Sequence, residues 1–196
     1  MMEEISFEEI KRLQQGEKQV FNKIIAIYQK RVTALCMKYM LNMDEAVDAA
    51  QEVFCSAYVS IKSFGFKSKF STWLYRITVN QCINRLKSIK SRNAIIDNRH
   101  YIDDEEKREQ LEFVTDGRKL SDEEMELKET GTAILRELDR FSEMDKSAII
   151  LSDMEDYSTG EIAEILDMPE GSVRSSISRT RRKLKEILEK KKGAER

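Results

Sequence analysis

Apolar side chains recur at spacings of three and four residues along most of this chain, the period of amphipathic α-helices rather than strands. Ser or Asn followed three residues later by Glu marks helix starts at Ser6–Glu9, Asn42–Glu45, Ser121–Glu124 and Ser158–Glu161. The pattern predicts helices at about 7–15, 17–40, 43–62, 71–90, 121–139, 143–154, 159–166 and 172–190. Gly16 interrupts the first pair, and "SFGFKSK" (Ser63 to Lys69) reads as a loop with two aromatics and two lysines. Between Lys90 and Leu120 the periodicity weakens, and residues 103–116 hold seven acids against two bases. The expectation is an all-α fold: two small helical domains, 1–90 and 121–196, joined by an extended acidic linker at 91–120.

One predicted helix has an unusual outer face. In "FSTWLYRITVNQCINRLKS", Tyr75, Val79, Cys82 and Leu86 form a core-facing stripe. Opposite them Trp73, Arg76, Asn80, Asn84 and Lys87 form a second stripe: a large aromatic, two amides and two cations. A half-buried anchor would account for the tryptophan, and an ordinary solvated helix face for its polar company.

Composition agrees with a helical protein: seven glycines and the single Pro169 in 196 residues leave few helix breakers. No apolar run approaches a membrane span, and the acidic start "MMEEISFEEI" does not read as a signal peptide, so a cytoplasmic protein without membrane insertion is expected. Cys36, Cys55 and Cys82 read as three buried thiols rather than a metal site or disulfide. His100 stands alone, and no carboxylate, histidine or nucleophile constellation suggests a catalytic residue. No metal, nucleotide or other cofactor is expected. The net charge of −2 counts against a nucleic-acid partner until its distribution is considered. Residues 61–99 carry nine Lys or Arg against one acid, and 171–196 carry ten against three. Two basic blocks point to two places that meet phosphate.

The second block lies in "STGEIAEILDMPEGSVRSSISRTRRKLKEIL", which has the pattern of a helix-turn-helix. Ile162, Ala163, Ile165 and Leu166 face inward, "DMPEG" turns, and Ser172 is placed to cap the next helix. That helix would bury Val173, Ile177, Leu184 and Ile187 and expose Arg174, Ser175, Ser178, Arg179, Arg181 and Arg182. Such a helix reads bases in the major groove and holds phosphates from its flanks.

Here the sequence resembles a known family. "AIILSDMEDYSTGEIAEILDMPEGSVRSSISRTRRKL" is similar to the −35-reading domain of bacterial sigma factors of the extracytoplasmic-function (ECF) group. "DEAVDAAQEVFCSAYVSIKSFGFKSKFSTWLYRITVNQCINRL" independently resembles their N-terminal domain. The resemblance implies a sigma factor that docks on core RNA polymerase, recognises promoter DNA and opens its strands. It assigns −10 recognition and melting to Phe64, Phe66, Lys67, Lys69, Ser71, Trp73, Arg76, Asn80, Asn84 and Lys87. It assigns −35 recognition to Ser172, Arg174, Ser175, Ser178, Arg179, Arg181 and Arg182. Asp48, Gln51 and Glu52 fall on the family's "D-x-x-Q-E" docking pattern for polymerase, at spacings that share one helix face. An anti-sigma factor is a further partner class. Two departures stand out: Phe141-Ser142 replaces the frequent Leu-Pro, with Ser142 and Asp145 able to cap the helix, and Ser176 stands where many relatives place Arg. The alternative is a stand-alone helix-turn-helix regulator of the LuxR type, which would need neither the docking trio nor the Trp73–Asn80 helix. A helical adaptor that binds no DNA fits the two basic blocks poorly.

Overall fold

The computed structural model describes residues 4–97 and 131–194, with side chains described through 91 and from 131 to 190. The chain divides into two compact units, Met1–Val114 and Thr115–Arg196. Every regular element among the described residues is helical.

In the first unit, α1 (Phe7–Gln14) begins with the expected capping box: Ser6 accepts from the Glu9 N–H and the Glu9 side chain reaches back to the Ser6 backbone. Lys23, 2.9 Å from Glu9, and the Ser6 groups hold the Glu9 carboxyl down from an ordinary 4.5 to about 2. Helix α2 (Gln19–Met40) ends at Leu41, whose left-handed φ of 53° turns the chain, and Asn42 caps α3 (Met43–Ser60) by accepting from Glu45 N–H at 2.9 Å. A 3₁₀ turn at Ile61–Ser63 extends α3 before the loop leading to α4 (Phe70–Asp97). Helices α2, α3 and α4 pack mutually. Small residues on α3 (Ala46, Ala49, Ala50, Ala57) let it approach Ile24, Tyr28, Val32 and Leu35 of α2 and Leu74, Tyr75 and Val79 of α4, all buried. Truncating a fully buried member such as Leu74 to Ala would cost about 2–5 kcal/mol.

Two expectations need correction here. Helix α4 runs to Asp97, so the segment assigned to the linker from residue 91 begins as helix. The rest of that linker, Ser121–Glu124 and His100 lie outside the described residues. Cys55 is exposed, whereas Cys36 and Cys82 are buried with their sulfurs 3.6 Å apart. Cys55 follows Glu52 by one turn and so shares the solvent side of α3.

In the second unit α5 occupies 131–138 of the described residues. Ser142 caps α6 (Glu143–Ile149) by accepting from Asp145 N–H at 3.1 Å, as its sequence suggests. The predicted continuous helix to 154 instead widens to a π-helical turn at Ile150–Met154. Helix α7 (Thr159–Leu166) has a second capping box at Ser158–Glu161 and closes on Asp167 at φ 55°, a conformation Asp tolerates better than most side chains. Helix α8 (Glu170–Ala194) starts two residues before the expected cap. The Pro169 carbonyl accepts from Ser172 and Val173 N–H at 2.9 and 3.1 Å, so Ser172 sits within the first turn and is not the cap. Proline suits this edge because it lacks the donor that a helix start leaves unused. Ile162, Ile165, Val173 and Ile177 form the α7–α8 core.

Candidate nucleic-acid interface

An aromatic seam runs from the core of the first unit to its surface. Buried Tyr28 meets Phe70 with ring centroids 5.6 Å apart, and Phe70 lies edge-on to Phe64 at 5.8 Å. Trp73 packs on Phe64 at 5.1 Å and on Phe70 at 5.5 Å. Phe66 continues outward at 4.9 Å from Phe64 and reaches Phe7 of α1 at 4.3 Å. Trp73 is therefore half-buried, with its indole braced from below by two phenylalanines. It is an anchor and a surface group at once.

Phe64 needs correction. Its ring is only 5% exposed and supports Trp73 and Phe66, so it is not offered to a base. Phe66 is half-buried and has a left-handed φ of 57°. Lys67 and Lys69 are exposed on the same loop, and the Ser71 hydroxyl donates to Glu4 at 3.4 Å. Along α4, Asn80, Asn84 and Lys87 are exposed and Arg76 is half-buried. Two helical turns, about 10 Å, separate Trp73 from Asn80. The arrangement places a braced aromatic beside a cationic loop and continues it along one helix face with two free-standing amides.

The acidic face of α3 is tied to α4. Asp48, Gln51 and Glu52 are all exposed, as their spacing requires. Arg85 reaches across from α4 to Glu45 at 2.6 Å, Glu52 at 2.8 Å and Asp48 at 3.2 Å. Gln81 adds a short hydrogen bond to Glu52. Sequence reasoning missed Arg85, whose partners lie 33 to 40 residues away. The same face continues past the acids to Cys55 and Val59, the latter 79% exposed.

In the second unit Ser172, Arg174, Ser175, Ser178, Arg179, Arg181 and Arg182 are exposed on α8. Several of the arginines are held by acids of the same unit. Arg174 pairs with Glu170 at 2.5 Å, Arg179 with Asp145 at 3.1 Å and Arg181 with Asp153 at 2.5 Å. Asp145 is the hub, accepting also from Ser142 and from buried Ser176 at 2.5 Å. Burial pushes the Asp145 carboxyl up, but hydrogen bonds from Ser176, Ser142 and Arg179 outweigh it and hold it below its ordinary range. Ser176 thus faces α6 rather than solvent.

Comparison with known proteins agrees with both halves. Residues 24–93 match Sigma-70 region 2, and residues 132–184 match Sigma-70 region 4. The ECF RNA polymerase sigma factor SigW of Bacillus subtilis is 33% identical over 192 residues, covering 95% of this chain and 98% of that protein. The ECF RNA polymerase sigma-E factor of Haemophilus influenzae is 36% identical over 184 residues, covering 93% and 92%. Among solved structures, the sigma factor RpoE of Bartonella quintana, crystallised with the anti-sigma factor NepR, has a similar fold. Its TM-score is 0.63 at 20% identity, over 88% of this chain and 98% of that one. The chain belongs to the sigma-70 family, in its ECF group of RNA polymerase sigma factors. It is a promoter-recognition factor for transcription initiation and not an enzyme. The LuxR-type alternative has no support, because both sigma regions are matched in order. No helix among the described residues is long and apolar enough to cross a membrane.

Proposed function

We propose that the first unit docks on core RNA polymerase through Asp48, Gln51 and Glu52 and opens the −10 element with the 64–69 loop and α4. The observation that carries this reading is the braced Trp73 at the head of a helix face bearing Asn80 and Asn84. Strand opening needs a surface on which an unstacked base can rest, an amide for its hydrogen-bonding edge and cations for the backbone. Phe66 and Trp73 supply the first, Asn80 and Asn84 the second, and Lys67, Lys69, Arg76 and Lys87 the third, with Ser71 beside the loop. Phe64 supports the pair from beneath. The second unit reads the −35 element with Ser172, Arg174, Ser175, Ser178, Arg179, Arg181 and Arg182 on α8. The factor works in the cytoplasm with core polymerase and promoter DNA, and an anti-sigma factor is its regulatory partner.

The decisive test is Asn80→Ala in reconstituted holoenzyme. Loss of a base contact worth about 1–3 kcal/mol should slow promoter opening roughly tenfold or more while core binding is kept. A template already mismatched at the −10 element should partly restore the rate, because its unpairing cost is gone. Wild-type opening rate and base preference on paired DNA would reduce this face to ordinary solvated helix.

A further inference from the structure

Helix α1 lies outside the region-2 match, which begins at residue 24, yet it touches the 64–69 loop at more than one point. Its last residue, Gln14, donates from Nε2 to the carbonyls of Ile61 and Phe64, both at 2.9 Å. These carbonyls stand where α3 ends in its 3₁₀ turn, which the Phe64 N–H closes by donating to the Ile61 carbonyl at 3.0 Å. A single amide group thus ties together the two ends of the turn that feeds the loop. Further along, Phe66 holds a left-handed backbone that a residue with a Cβ adopts only under restraint. Its ring is held between buried Phe64 and Phe7 of α1. Phe7 is 51% exposed, with Lys11 4.4 Å above its ring. Ahead of the helix, Glu4 accepts from the Ser71 hydroxyl.

Core packing explains α1 only in part. Ile10 and Leu13 are buried and suffice to seat the helix. They require neither a half-exposed phenylalanine against a strained loop residue nor an amide aimed at two loop carbonyls. We propose that α1 is the outer wall of the −10 base pocket, with Gln14 and Phe7 as positioning residues that hold the 64–69 loop in its base-accepting form. This rests on the reading of that loop and α4 as the −10 site. The ligand is the extruded base of the promoter's single strand, and α1 acts on it through Phe66.

The test uses holoenzyme made from the full chain and core polymerase. Promoters carry 2-aminopurine at successive −10 positions, whose fluorescence rises when the base is unstacked and captured. Phe7→Ala and Gln14→Met should weaken capture at one position by about tenfold, the loss of roughly one base–aromatic contact. Phe7→Tyr should restore it, core affinity should stay within about twofold of wild type, and an abasic site at that position should erase the difference between variants and wild type. Asn80→Ala serves as the reference for the pocket itself. If Asn80→Ala loses position-specific capture while Phe7→Ala and Gln14→Met keep it, the pocket stands and α1 has no part in it. If none of the three changes capture, the −10 reading fails and this proposal with it. An equal loss at every position, abasic DNA included, would mean general damage to the unit and would also overturn the positioning role.

Discussion

At the scale of single residues, the recurring theme is a group held in place by a neighbour distant in sequence. Trp73 stands among amides and cations because Phe64 and Phe70 brace it from the core side, leaving the rest of the indole outward. Arg174, Arg179 and Arg181, proposed above for −35 recognition, are restrained in a similar way by Glu170, Asp145 and Asp153. Such exposed pairs contribute only about 0–1 kcal/mol to stability, so their main consequence is orientation of the guanidinium groups. A pre-oriented guanidinium loses less side-chain freedom on meeting DNA. Arg174→Ala and Arg179→Ala should each lower −35-dependent promoter affinity by about 1–3 kcal/mol if the contact is to a base edge, and relax selectivity at one position. Competition assays with single-base −35 variants check this, with core binding measured alongside. Unchanged affinity and selectivity in both variants would remove α8 from the readout.

At the scale of elements, the helices were legible wherever their signals are local. The capping boxes at Ser6 and Ser158 and the cap at Ser142 each act over three residues and form as read, whereas Asn42 caps α3 through its own side chain and the Glu45 carboxylate pairs with Arg85. The start of α8 was misplaced because Pro169 offers a carbonyl without a side-chain cap, a backbone solution that composition does not advertise. Exposure of Cys55 and burial of Phe64 depend on which side of a helix or loop meets the packed core, which periodicity alone left open. The Arg85 network was invisible for the same reason, and it changes what substitution on α3 does. Gln51→Ala should leave stability within about 0.5 kcal/mol and weaken assembly with core polymerase. Glu52→Arg should do more, because it sets a second guanidinium beside Arg85 in place of a carboxylate 2.8 Å away. We expect about 1 kcal/mol of destabilisation from the lost pair and its like-charge replacement, together with a larger loss of core affinity. Thermal unfolding and competitive assembly with core enzyme separate the two effects. Wild-type assembly by the Gln51→Ala, Glu52→Arg double variant would mean that α3 docks elsewhere.

At the scale of the whole chain, charge is distributed so that neither DNA-reading region acts with the support of a uniformly basic protein. The blocks at 61–99 and 171–196 are strongly basic, yet the net charge is −2, because acids accumulate elsewhere and most densely at 103–116. Non-specific affinity for duplex DNA comes from phosphates neutralised and counterions released, and nearby acids subtract from that gain. Several of the basic side chains are also already paired within the protein, Arg85 with three acids of α3 and Arg181 with Asp153. On the proposed reading, each region alone therefore meets DNA with part of its charge already neutralised and reads only a short element. Binding both at once on polymerase makes the second contact intramolecular, so that affinity rises through effective concentration without any new interaction. The free chain should accordingly bind promoter duplex no more tightly than about 10⁻⁶ M near physiological salt, with little sequence preference. Added core enzyme should raise specific affinity by roughly 10³ or more, the usual margin of specific over non-specific binding. Fluorescence anisotropy on matched promoter and scrambled duplexes, with and without core enzyme at two salt concentrations, measures both quantities. Tight and selective binding by the free chain, unmoved by core enzyme, would show that the two regions need no scaffold and that the charge balance restrains nothing.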